Sequence, residues 1–201
     1  VRGAPKLGDF LHPPEMNVGT KSLLFGVHQF LWHPLTVWLA FRRLYGRVPN
    51  RWETLAIVVH DWGYWGKSNM DGPEGEEHPQ LGADIVKWVA IRCRSVHERP
   101  ITFAIRWYWF TKYHSRFCAA ANSAKPSDLC WADKLSVWYE PKWFYLLRAR
   151  LSGELKEYRL NASHRVPLCA PDIYWFNWYR CKVIDQIHHK RPATAGHHKD
   201  E

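Results

Sequence analysis

The chain has no CxxC pair. Its five cysteines (Cys93, Cys118, Cys130, Cys169 and Cys181) are odd in number and widely spaced over 201 residues. That argues against a disulfide framework or a thiolate zinc site and favours a reducing compartment. No stretch approaches the ~20 uninterrupted apolar residues of a membrane-spanning helix, so no transmembrane segment is expected. The first residues hold no apolar signal core, and the cytoplasm is the expected location. Alternating apolar and polar residues, the mark of a half-buried strand, are missing at any useful length, as are internal repeats. Acidic residues are in the minority, 19 against 28 Lys plus Arg. The net charge of +9 favours anionic partners such as phosphorylated small molecules, nucleic acid or an acidic membrane surface. The acidic groups gather in residues 51–100, with 8 against 6 basic.

What remains is an apolar, aromatic chain, with 46% hydrophobic residues and 13 tryptophans. It is long enough for one well-filled core. Residues 1–20, with Pro5, Pro13 and Pro14, read as an irregular arm. Residues 21–32 are at least partly helical. Pro34 fits the first turn of a helix from His33 to Tyr45, closed by Gly46. Arg51 to His60 is a second helix, and residues 62–77 a Gly-, Pro- and acid-rich loop. Pro79 restarts a helix whose apolar stripe is Leu81, Ile85, Trp88, Val89 and Arg92. Further helices are expected over 100–114, 126–139, 141–151 and 171–190. The fold class is therefore all-α, with seven or so helices. The expected units are a bundle over 21–152, a C-terminal helical extension over 153–190 packed on it, and a flexible tail over 191–201.

His60-Asp61 stands at the end of the apolar run Leu55–Val59. Neighbouring residues on a helix diverge, but both can turn toward one ion where the helix stops. His33, His78, His114 and Asp133 complete the order H…HD…H…H…D. Each comes from a different helix or helix end, the way bundles build metal sites. His33, His60, Asp61 and Asp133 would hold a first ion, and His78 and His114 a second bridged by Asp61. His28 competes with His33 for the first position. Imidazole with carboxylate suits one or two ions of Mn, Fe, Co, Ni or Zn, with Mg also admitted, better than Ca.

His33-Pro-Leu-Thr-Val37, His60-Asp-Trp-Gly63 and Trp131-Ala-Asp133-Lys-Leu135 resemble the HD-domain superfamily of metal-dependent phosphohydrolases over roughly residues 28–140. His78 and His114 are similar to its six-ligand, two-metal branch. The resemblance implies an all-α HD-domain bundle, a mono- or dinuclear centre, and hydrolysis of a phosphate ester or anhydride. A metal-bound hydroxide would attack phosphorus. The long loop after the HD pair departs from the pattern, and substrate identity is not carried across it.

Basic groups are needed around the phosphoryl oxygens, and Lys67, Arg116 and Lys134 are the candidates. Glu77 beside His78, or Glu74, is the candidate proton donor to the leaving group, in an acidic cluster that also holds Asp71 and Glu76. Trp62, Tyr64 and Trp65 are candidates for a wall stacking on a nucleobase. Trp107–Phe110, Tyr174–Phe176 and Trp178-Tyr179 read as core, although the last helix, with Arg180 and Lys182, could dock on a membrane or partner. The expected substrate is a nucleotide or other small phosphorylated metabolite, and a homo-oligomer is compatible with the sequence. Two other functions share these features. One is an HD-type di-iron oxygenase on the same ligands, and the other a non-catalytic nucleic-acid-binding domain, which the +9 charge supports but the scattered basic residues, without a dense stripe or binding motif, do not.

Overall fold

Capping residues and helix breakers divide the chain into short helices. A computed structural model describes residues 16–93 and 100–190. The tail expected over 191–201 and most of the arm expected over 1–20 lie outside these residues. The helices are α1 (Val18–Phe25), α2 (Trp32–Tyr45), α3 (Arg51–Val59), α4 (Pro79–Arg92), α5 (Pro100–Lys112), α6 (Arg116–Ala121), α7 (Asp128–Ser136), α8 (Lys142–Ser152), α9 (Glu154–Asn161) and α10 (Asp172–Lys190). No strand occurs among the described residues, so the all-α expectation holds. None of the described helices is long and apolar enough to cross a membrane. The five cysteines are free.

The helix ends follow local chemistry. Gly46, at φ 66°, closes α2 in the left-handed conformation that costs glycine least. Asn50 and Glu53 form a capping box that starts α3, and buried Glu53 also holds Arg47 at 2.6 Å. Pro79 opens α4. Short helices α6 and α9 add to the expected set, and the first three residues of α1 fall inside the expected arm.

Two apolar clusters share α7. Leu129 and Ala132 pack with Val37, Phe41, Ile57, Val86 and Trp107 on one side. Trp131 and Leu135 pack with Tyr145, Ala149, Phe176 and Val183 on the other. Asp133 thus rides on a helix fixed from two directions, and α8 and α10 belong to the same core as α7.

The stripe expected on α4 is met in part, with Ile85 and Val89 packed against the core. Leu81 and Trp88 are exposed, Arg92 lies over the Trp88 ring, and the buried face is Gly82, Ala83, Val86 and Ala90. A Cβ on Gly82 would sit 2.5 Å from the Val59 carbonyl oxygen. The helix lies so close to the end of α3 that only small residues fit. Of the aromatic core candidates, Trp107, Trp175 and Phe176 are buried, whereas Tyr174 is exposed on the outer side of α10.

Candidate metal centre

α3 stops at Val59, leaving His60 as its C-cap, and Asp61 opens a single 3₁₀ turn over Trp62–Tyr64. That break lets adjacent side chains converge. The His60 Nδ1–H donates to the Ile57 carbonyl at 2.8 Å, back into the last turn of its own helix. His78 and His114 repeat the device, donating from Nδ1 to Gly75 at 2.6 Å and to Thr111 at 2.7 Å. A carbonyl can only accept, so each bond fixes the proton on Nδ1 and turns the Nε2 lone pair inward. Backbone carbonyls orient metal-binding histidines in this way.

The six side chains meet. Asp61 divides its carboxylate between two groups. Its Oδ2 lies 3.1 Å from both His33 Nε2 and His60 Nε2, while its Oδ1 lies 3.6 Å from His78 Nε2 and 3.5 Å from His114 Nε2. Asp133 Oδ1 completes the first group at 3.2 Å from His33 and 3.8 Å from His60. Ligands about 2.1 Å from a shared ion stand roughly 3.0–3.4 Å apart in octahedral or tetrahedral arrangements. The donor atoms within each group lie within 4.8 Å of one another.

The buried polar atoms favour a cation. His33 Nε2, His60 Nε2 and Asp61 Oδ2 are all out of contact with water and lack a hydrogen-bond partner of acceptable geometry. Such orphans are costly and call for an explanation. His78 Nε2 and His114 Nε2 face each other at 2.9 Å with both Nδ1 protons already placed, so one needs a proton or an ion between them. The His/Asp set is a donor combination that transition ions accept. The residues fit one or two divalent metals.

Without an ion, protons supply the positive charge. Burial opposes charge on His33, yet Asp133 and Asp61 outweigh it and raise the ring to about 9. Burial likewise opposes charge on His60, but Asp61 and Asp133 raise it to about 10. Burial would lift both carboxylates. Asp61, facing the His60 charge first, and Asp133, bonded to His33 and His60, are nevertheless held well below the usual range. His78 goes the other way, pushed down to about 3 by burial and then by the His114 charge.

Gly63 sets the close packing against His78. A Cβ on Gly63 would stand 1.9 Å from the His78 carbonyl oxygen. Gly63→Ala should therefore push the turn off His78, costing at least about 2 kcal/mol in a denaturant melt and lowering metal stoichiometry. Tyr64 stacks on His78 with ring centroids 3.9 Å apart.

A cavity of about 470 Å³ opens on the centre, lined by His33, Asp61, His78, His114 and Asp133. Arg116 and Lys134 line it as well, as do Tyr64, Asp71 and Glu76. The other sequence candidates lie outside its lining. Lys67 pairs with exposed Glu77 at 3.2 Å, and Glu74 accepts from the Ser68 hydroxyl at 2.8 Å. Trp62 and Trp65 pack on Phe30, Trp62 edge-on and Trp65 stacked. Of the three loop aromatics, only Tyr64 reaches the cavity. His28 lines it without joining the cluster, since its Nδ1 is held by buried Glu154 at 2.9 Å and Ser22 at 3.0 Å.

Sequence reasoning missed the far wall. Tyr145, Tyr158, Asn161, Trp178, Tyr179, Lys182 and Gln186 come from α8, α9 and α10. Glu157 of α9 also accepts from the Met70 and Asp71 amides, tying the loop after His60-Asp61 to the C-terminal helices. The signal was the spacing 175, 178, 179, 182, 183 and 186, one face of a helix, which cannot say by itself what that face looks onto.

Comparison with protein-family models, curated proteins and solved structures returns no match.

Proposed function

We propose that the protein is a cytoplasmic metal-dependent phosphohydrolase of the HD-domain type, acting on a nucleotide or another small phosphorylated molecule. The observation that carries this reading is the divided Asp61 carboxylate, with two imidazoles against each oxygen, at the floor of a cavity that also presents cations. A divalent ion held by His33, His60, Asp61 and Asp133, and a second by Asp61, His78 and His114, would supply acidified water and neutralise phosphoryl charge.

The chain's own residues do the rest. Arg116 reaches the cavity from the start of α6, and its guanidinium is steadied by Gln186 Oε1 at 2.9 Å. It and Lys134 are placed to take phosphate oxygens, where charge-assisted hydrogen bonds both bind and orient. Glu76 and Asp71, not Glu77 and Glu74, are the members of the acidic cluster that face the cavity and can pass a proton to a leaving group. The cavity volume is that of a small-molecule site.

The test is a phosphate-release screen over nucleotides and other phosphate monoesters with Mn, Co, Ni, Fe and Mg, alongside metal analysis of the purified protein. Phosphate release that depends on a transition ion is expected. Iron in both subsites, with oxygen consumed and no phosphate released, would overturn the reading in favour of an oxygenase.

A further inference from the structure

α10 presents one long face to the cavity. Trp175, Trp178, Tyr179, Lys182, Val183 and Gln186 follow the i, i+3, i+4, i+7 rhythm, and all six line it. The polar end of this face is Lys182 and Gln186. The Lys182 ammonium stands 4.8 Å from the centre of the Trp178 ring, which orients it. Arg116 is held by Gln186, and Lys134 reaches the same cavity from α7. Three cations from three helices therefore line a single cavity. None has a carboxylate within ion-pair distance among the described residues. Burial, followed by repulsion from Arg116, Lys134 and Arg165, lowers the Lys182 pKa, and the attraction of Asp71 ranks behind all of these. Convergent cations without carboxylate partners in a cleft are an anion site by elementary electrostatics.

Arg116 stands two residues from His114 and Lys134 next to Asp133, whereas Lys182 comes from α10, which supplies none of the cluster, so one phosphoryl group on the metals does not use all the positive charge. We infer that Lys182 binds a second anionic group of the substrate, while Arg116 and Lys134 hold the phosphoryl oxygens at the metals. The substrate class is then a small molecule carrying two separated anionic groups, such as a bisphosphate or a phosphorylated carboxylic acid, with the aromatic face of α10 against the carbon skeleton between them. This rests on the phosphohydrolase reading only in seating one phosphoryl group at the metals.

Non-hydrolysable probes separate the two ideas. Alkane-α,ω-bisphosphonates of increasing length and the matching alkyl monophosphonates are titrated into the metal-loaded full chain, with tryptophan fluorescence and calorimetry as readouts. At the best length the bisphosphonate should bind about tenfold or more tightly than its monophosphonate. Lys182→Met should cut that preference to about threefold or less, and Lys182→Arg should keep it. A purely structural role for Lys182 would weaken both ligands alike and leave their ratio unchanged. No preference in the wild type, or an undiminished preference in Lys182→Met, overturns the inference. Should Lys182→Met lose both ligands through misfolding, Lys182→Arg decides: wild-type preference supports the second anion site, and loss of it refutes the site. Failure of the phosphohydrolase reading shows instead as absent turnover of phosphate esters, which these binding ratios do not involve.

Discussion

Asp61→Asn should lose metal from both subsites at once and lower turnover by about 10³-fold or more. The side chain keeps its shape but gives up the charge and one of two acceptor oxygens. One of those oxygens faces the group built on His33 and His60 and the other the group built on His78 and His114, so Asp61 is the residue common to both. Replacing Asp133, which contacts only the first group, should remove ions from that subsite and spare the second. His114→Ala should do the reverse. Metal analysis of the three purified variants, beside circular dichroism to verify the fold, tests the pattern. Two full equivalents of metal in Asp61→Asn would end the assignment. Without metal, the same variant leaves buried His33 and His60 facing less negative charge, so their rings should give up protons at lower pH than in the wild type.

The His/Asp cluster was legible because it depends on one-dimensional signals: a His-Asp pair at a helix stop, and histidines beside helix-starting prolines or at helix ends. His33 sits one residue before Pro34 and His78 one before Pro79, so their place at a helix entrance follows from proline's missing N–H. The helix boundaries around them follow from Gly46, Asn50 and Gly153 for equally local reasons. What could not be read depends on distance through space. Lys67 and Glu77 flank the cluster in sequence, yet the loop turns them toward each other on the surface. Lys182 is 49 positions beyond Asp133 and still lines the same cavity, because α10 packs on α7 and α8. The α4 stripe misled in part for a related reason. Leu81 and Trp88 point outward while Val86 is buried and Ile85 and Val89 pack on the core, and the close approach to α3 demands glycine at position 82. A hydrophobic period reports which residues are greasy, not how near the neighbouring backbone comes.

Raising the pH should destabilise the metal-free protein and strengthen metal binding over the same range. The folded values of His33 and His60 are about 9 and about 10, against 6.5 for an ordinary imidazole. Below pH 6.5 both are charged whether the chain is folded or not, and the stabilisation from the carboxylates is fully present. Between pH 6.5 and about 9–10 the folded state holds protons that the unfolded chain releases, so stability falls by about 1.4 kcal/mol per pH unit for each retained proton. On the acid side, His78 works in the opposite sense. It stays neutral in the fold down to about 3, so its contribution is lost as pH drops below 6.5. Asp61 and Asp133 add further losses as pH falls through the carboxylate range, where the unfolded chain takes up protons first. A divalent ion needs the His33 and His60 lone pairs that the protons occupy. Binding near pH 7 should therefore expel about two protons, and affinity should climb by up to roughly a hundredfold per pH unit until those imidazoles are neutral. Two measurements check this. Thermal melts of metal-free and metal-loaded protein should diverge steadily from pH 6.5 to 9, and calorimetry in buffers of different ionisation heat should count the released protons. A gap between melting temperatures that stays constant, with no proton release, would mean that His33 and His60 are neutral without metal and that something other than protons balances the buried carboxylates.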